Sequence, residues 1–165
     1  LNTAWQLRSN EPLTALQTAK NALDLAVEEE NKSAQSMALN YIGVIHTNLA
    51  ANDLALDYHK AALKVAENAN DKEQLGYSYN NIGGIYGYQN NLSAAIENIQ
   101  KAIKIFDEIE DRTGLAYCSI NIGKLYKNQQ NYDKSLQYFN RALEISNNID
   151  NEDLHARILL DIANI

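Results

Sequence analysis

The chain has 165 residues, 14 Lys plus Arg against 21 Asp plus Glu, and a net charge of −7 with the histidines neutral; 45% of its residues are hydrophobic. That length and apolar fraction suit one packed globular domain and set aside a disordered chain, while the acidic balance, with basic residues dispersed, argues against DNA or RNA as a partner. Seven glycines and one proline are too few for an all-β chain that turns about every 8–12 residues, and no stretch approaches the roughly 20 apolar residues that span a bilayer.

Taken in order, amphipathic spacing predicts helices over residues 1–9, 12–30, 32–50, 53–69, 72–90, 93–109, 112–130, 133–148 and 151–165. Pro12 suits a first turn, where its missing N–H costs nothing. Beneath the helices lies a repeat. Ile42-Gly43, Ile82-Gly83 and Ile122-Gly123 recur every 40 residues, and Ile162-Ala163 holds the next place. His46, Tyr86 and Tyr126 follow the small residue by three; Ala22, Ala62, Ala102 and Ala142 mark a second register, with Ala15, Ala55, Ala95 and Ser135 seven residues ahead of them. Asn31, Asp71, Asp111 and Asn151 form a third register, where an N-cap is expected. Asp71 and Gln74 have capping-box spacing. The second helix of each unit is expected to begin near Asp53, Ser93 and Asp133, with Asn91 and Asn131 as rival caps.

Small residues at fixed places have a geometric cause. Two helices must approach closely at Gly43, Gly83, Gly123 and the in-phase alanines, because a larger side chain there would push the axes apart. A helix-interior Gly costs about 1 kcal/mol relative to Ala, so three in phase imply a return in packing.

The pattern Ile-Gly-x-x-Tyr, then a small residue, an aromatic, Ala and Leu, as in Ile122-Gly123, Tyr126, Ser135, Phe139, Ala142 and Leu143, resembles the tetratricopeptide repeat in a 40-residue variety, and the likeness covers the whole chain. The resemblance implies an all-α fold, an α-solenoid of antiparallel helix pairs with the first helix of each pair on a concave surface. It implies one domain over 1–165, with an irregular incomplete unit at 1–30, units at 31–70, 71–110 and 111–150, and a final single helix at 151–165. Thr3 in place of the glycine, Asn52 at a usually aromatic place and Ser135 for alanine depart from the pattern. Repeats of this length resemble the sensory or scaffold regions of bacterial signalling proteins such as histidine kinases and diguanylate or nucleotide cyclases, in the cytoplasm or periplasm. Leu1 in place of an initiator Met and a helical pattern running to Ile165 read as the ends of a fragment or processed product.

Catalysis finds little support. The run Gly83-Gly84-Ile85-Tyr86-Gly87 falls inside a predicted helix, whereas a phosphate loop needs a strand before it and a free helix N-terminus after it. His46, His59 and His155 lack metal-helix spacing, and His46, in the place of Tyr86 and Tyr126, is expected as a packed ring. Cys118 is the single cysteine, so there is no internal disulfide, and a buried thiol is the expectation. No catalytic residue, metal site or cofactor is therefore expected.

Resemblance to the family places residues around the Ile-Gly pair on the groove: Asn40 with Tyr41, Asn80 with Asn81, Asn121 and Asp161. An amide offers donors and an acceptor together and can pair with a peptide main chain; equally, these asparagines can bond each other across the stack. Met37, Tyr77 and Tyr117 lie one turn earlier; Val44, Gly84 and Lys124 one turn later, followed by Thr47, Gly87, Lys127, Asn48, Tyr88 and Asn128. Tyr77, Tyr88 and Tyr117 read either as core or as contact surface, and Lys124 and Lys127 as partners for a carboxylate or as solvated cations. Acidic runs at Glu28-Glu29-Glu30, Asp107-Glu108, Glu110-Asp111 and Asp150 with Glu152-Asp153 are expected along one edge.

The first functional expectation is a non-catalytic module that binds a protein or peptide segment on its concave face, with no nucleic acid and no membrane insertion by this region. The alternative is a structural module that forms homo-oligomers through exposed end helices, with Ile158, Leu159 and Ile162 as the contact.

Overall fold

The computed structural model describes residues 2–8, 11–149 and 151–165, and all regular structure among them is helical. The helices are α1 (Asn2–Leu7), α2 (Pro12–Glu28), α3 (Lys32–Asn48), α4 (Asn52–Ala69), α5 (Lys72–Tyr88), α6 (Leu92–Glu108), α7 (Arg112–Asn128), α8 (Tyr132–Ser146) and α9 (Glu152–Ala163). Consecutive helices pack as hairpins, most extensively α3 with α4, α5 with α6 and α7 with α8. The odd-numbered helices also meet one another, α3 with α5 and α5 with α7, and no comparable contact joins α4 to α6 or α6 to α8. A stack held closer along one layer than the other must curve, with α3, α5 and α7 on its inner side.

Glycine notches set the spacing within each hairpin. A Cβ at Gly43 would come 2.5 Å from the His59 ring, at Gly83 2.6 Å from Ile99 Cγ1 and at Gly123 2.9 Å from Phe139 Cε1. Residues 59, 99 and 139 are in register, so the same knob of the second helix fills the same notch of the first in every unit. Ser135 keeps this geometry despite replacing alanine: its hydroxyl is fully buried and donates to the Gly123 carbonyl at 2.8 Å. Phe106 is a second kind of wedge. It takes the place of Ala26 and Ala66, and room for its ring comes from Gly76 and Gly114, where an added Cβ would fall 2.6 Å and 2.4 Å from ring atoms. It is completely buried and anchors the cluster around Ala95, Ile99, Ala102, Cys118 and Leu125.

The joints between helices follow one design. Glu30, Ala50, Asn70, Asn90, Glu110 and Gln130, spaced every twenty residues, all have φ between 53° and 59°. At each, the N–H of the following residue bonds a carbonyl five back, as in Asn31 to Ala26, Asn91 to Tyr86 and Asn131 to Tyr126, which closes the helix in a Schellman turn. Helices predicted to reach residues 30, 50, 90 and 130 therefore stop two residues earlier. At five of the six joints the residue after the left-handed position caps the next helix: Asn31, Asp71, Asn91, Asp111 and Asn131 accept from the N–H three residues on, and Asn151 caps α9 in the same way. Asn91 and Asn131 are thus the caps, and the second helices start one residue before the predicted 53, 93 and 133. Ala51, at the equivalent place, has no side chain to offer.

Leu1 and Ser9, expected in the first helix, and Asp150, expected in an acidic run, lie outside the described residues. At the far end, Ile158 is fully buried and Ile162 packs against the same cluster as Ala116, Ile120 and Phe139. Of the three residues expected to form an end contact, only Leu159 is substantially exposed.

Two substitutions test these constraints. Ala50→Gly relieves a left-handed residue on the surface and is expected to raise stability by about 0.5–1 kcal/mol. Gly114→Ala drives a methyl into the Phe106 ring and is expected to cost about 1–3 kcal/mol. Urea denaturation reads both, and a neutral Gly114→Ala would show that the Phe106 seat is not tight.

Candidate functional site

The inner faces of α3, α5 and α7 do not close on one another. They bound a cavity of about 310 Å³ lined by Met37, Asn40, Tyr41, Val44, Thr47 and Asn48 from α3, by Glu73, Gln74, Tyr77, Asn80, Asn81, Gly84, Ile85 and Tyr88 from α5, and by Thr113, Tyr117, Ile120 and Asn121 from α7. Trp5 of α1, His59 of α4 and Arg157 of α9 complete the wall. This volume is near the small end of the range for concave ligand sites. Gly84 faces the cavity beside Asn121: a Cβ there would come 3.4 Å from the Asn121 amide nitrogen.

The asparagines fall into two groups. Asn40 is buried within a polar cluster: its amide donates to Ser78 Oγ at 3.0 Å and Gln74 Oε1 at 3.3 Å, and its Oδ1 accepts from His59 Nδ1 at 3.1 Å. Gln74 therefore turns inward, and no capping box closes with Asp71, whose carboxylate caps the helix alone. Asn80 is buried too and accepts twice from the Asn121 amide, through its side chain at 2.9 Å and its backbone carbonyl at 3.2 Å. These three tie neighbouring hairpins together. Asn81 is different: it is half-buried, lines the cavity and makes no side-chain hydrogen bond among the described residues.

The aromatic residues form two groups along the wall. Trp5 and Tyr41 lie 5.3 Å apart, and the Arg8 guanidinium sits 3.7 Å above the Trp5 ring. Tyr77 meets Tyr117 edge-on at 6.4 Å and Phe106 at 5.0 Å, and its hydroxyl donates to Asp111 at 3.1 Å. Burial, and then the neighbouring Asp111, push the Tyr77 phenol well above its ordinary range; burial does the same for Tyr41 and Tyr117. All three remain neutral hydrogen-bonding groups with apolar faces. Tyr88 stands exposed at the rim. Glu73 brings an acid to the lining, its carboxyl raised by desolvation and by Asp111 and Asp71.

Four of the residues expected on the groove are not among those that line this cavity. Lys124 and Asn128 line a small recess beside the main cavity, together with Leu125 and Tyr88. Asp161 Oδ2 lies 3.2 Å from Lys124 Nζ, an ion-pair distance whose angle falls outside hydrogen-bond geometry. Desolvation, then the nearby Arg157, lower the Lys124 ammonium, against the opposing pull of Asp161. Lys127 does not line the cavity. Sequence reasoning passed over Trp5, Glu73, Gln74, Thr113 and Arg157. Arg157 was within reach, since it continues the register of Met37, Tyr77 and Tyr117, as Thr113 continues that of Glu73.

Elsewhere, His46 stacks on Tyr58 at 5.3 Å. The Cys118 thiol is buried and pushed upward, by burial first. The glycine run 83–87 lies inside α5. Among the described residues no helix is long and apolar enough to cross a membrane.

An acidic, helical-hairpin solenoid with an open inner cavity defines a repeat-type protein. The sequence matches the tetratricopeptide repeat at residues 33–108 and again at 116–148, about two-thirds of the chain together. The chain belongs to the tetratricopeptide repeat family, whose repeats are typically non-catalytic protein-interaction modules. Among solved structures, BtubC (BKLC) from P. vanneervenii matches over 94% of this chain with a TM-score of 0.69 at 17% identity. A Rap protein, solved in complex with Competence and Sporulation Factor, matches over 98% with a TM-score of 0.65 at 18% identity. The chain spans 65% of the first of those chains and 49% of the second. No curated protein matches it.

His59 gives the site a pH signature. Burial lowers its pKa from 6.5 to about 3, so the unfolded chain takes up a proton that the folded one refuses. The associated stability is full above pH 6.5 and is lost as pH falls from there toward 3. His59→Gln keeps a donor for Asn40 without titrating. Its melting temperature is expected to drop less than that of the parent between about pH 7 and pH 4; parallel losses would contradict the assignment.

Proposed function

We propose that this chain is a binding module of a larger bacterial signal-transduction protein, and that it holds a peptide or protein segment in the cavity on its concave face. The observation that carries the reading is Asn81, an amide with unused donors and acceptor, set among Tyr41, Tyr77, Tyr88 and Tyr117 in an open cavity. Such an amide pairs with a peptide main chain whatever the ligand's side chains, and tyrosines supply rigid contact area with a polar end. The Rap structure lends support, since a protein of this fold was solved with a bound factor.

Asn40, Asn80 and Asn121 hold the scaffold in this reading, and Asn81 meets the ligand. Lys124, Lys127, Asn128 and Asp161 are peripheral. The test takes the tightest binder from a pool of random octapeptides capped at both ends. Asn81→Ala is expected to weaken it about tenfold, equivalent to roughly one lost hydrogen bond, with an unchanged melting temperature. Unchanged affinity would refute the assignment. Asn121→Ala, by contrast, is expected to lower stability first, because it frees the buried acceptors of Asn80.

A further inference from the structure

We propose that the joint between the α3–α4 hairpin and α5 is a proton-operated hinge: a proton taken up by His59 parts the two hairpins there, opens the cavity wall and speeds the release of what the cavity holds. The hinge stands on contacts within the fold; the release rests on the cavity being a binding site.

The joints on either side of α5 are built differently. The core cluster around Ile42 and Ile45 draws on α1 to α4, and that around Ile99 and Phe106 draws on α5 to α7; among the described residues neither crosses from α4 to α5. Between α5 and α7 the Phe106 ring is seated against both Gly76 and Gly114, and Tyr77 meets Tyr117, beside the amide pair of Asn80 and Asn121. From the α3–α4 hairpin to α5 the side-chain hydrogen bonds are a set of their own: Asn40 reaches Ser78 and Gln74, Ser33 donates to Asp71, and Gln89 donates to Asp53 at 3.4 Å. Ala66, in the register of Phe106, brings no ring to the joint.

His59 is the titratable group at the buried centre of this joint. It takes the knob position that Ile99 and Phe139 hold in the other hairpins, is 1% exposed, and bonds Asn40 through Nδ1. On α4 itself the neighbouring Asp57 and Lys60 are exposed. Of the titratable and charged groups on the surrounding helices, Tyr41 of α3, Glu73 and Tyr77 of α5, Tyr117 of α7 and Arg157 of α9 line the same cavity. None of them bonds the ring among the described residues, and burial is the cause that holds its pKa down. No acid stands ready to receive an imidazolium in place, so a protonated ring must reach water. The polar joint with α5 is the easier exit, since α3 and α4 pack on each other more extensively than either packs on α5. Asn40, Gln74 and His59 all line the cavity, so parting the joint divides its wall.

The sign follows from linkage. An exposed His59 takes its proton near 6.5 and the buried one near 3, so closure is fully favoured above 6.5 and loses ground as pH falls toward 3. Between pH 7.5 and pH 5 the open fraction grows about thirtyfold.

A thiol placed in the joint reads the opening. Ala66→Cys puts one at a fully buried site, with the fully buried Cys118 on the other side of α5 as internal reference. Ser36→Cys, also at a fully buried site, takes its place if Ala66→Cys lowers the melting temperature. Labelling by a pyridyl disulfide is followed at pH 7.5 and pH 5, each rate divided by that of the same thiol in the urea-unfolded chain. At pH 5 the joint thiol is expected to be less protected than Cys118 by about tenfold or more. Its relative rate is expected to rise about thirtyfold from pH 7.5 to pH 5, and His59→Gln to flatten that rise. Equal protection of the two thiols, no rise with acid, or a rise that persists in His59→Gln overturns the hinge. Dissociation of the octapeptide selected for the cavity is expected to quicken by a similar factor in the parent and not in His59→Gln. Dissociation that ignores pH while the thiol result holds overturns the release. If no octapeptide binds at either pH, release falls together with the binding reading, and the thiols decide the hinge by themselves.

Discussion

Glycine 43, 83 and 123 each admit a knob from the following helix, His59, Ile99 and Phe139 in turn, to a distance that any side chain would forbid. That contact fixes how far apart the two helices of a hairpin stand. Repeating it with the same twenty-residue joint fixes the angle from one hairpin to the next. Curvature then follows without further instruction, because the inner helices meet more extensively than the outer ones. The cavity is a consequence of that curvature. It is space that the inner faces of α3, α5 and α7 cannot fill while their backs are held in the notches.

Such a cavity can carry polar groups that a core could not. Asn40, Gln74 and His59 of its lining satisfy one another together with the buried Ser78, and Asn121 satisfies Asn80 at the next joint. Each pairing crosses between helices, so removing one partner strands another in a low-dielectric place. The pairings tie α3 to α5 and α5 to α7, and they leave the Asn81 amide and the tyrosine faces as the uncommitted groups of the cavity lining.

Much of the architecture was legible in the sequence, because a 40-residue period with small residues in phase admits few packings. Helix ends were less so. The left-handed positions are held by Glu30, Ala50 and Gln130 as well as by Asn70 and Asn90, and the first three carry no local signal for that conformation. The groove was partly legible. Periodicity placed the asparagines on the inner side but could not separate Asn81 from Asn40 and Asn80, since that difference lies in partners contributed by other helices. Lys124 reads in the sequence either as a partner for a carboxylate or as a solvated cation, and only the fold brings Asp161 beside it. Trp5 belongs to the irregular first unit, where no register predicts its place against Tyr41.

The central claim is that Asn81 faces open space on the inner wall while its neighbours are packed. Thiol reactivity of an Asn81→Cys variant tests this most directly, with the native, fully buried Cys118 as an internal control. The account predicts that one thiol per chain reacts rapidly with a water-soluble disulfide reagent under native conditions, and that the second reacts only on unfolding. Two thiols that are both protected until denaturation would contradict it.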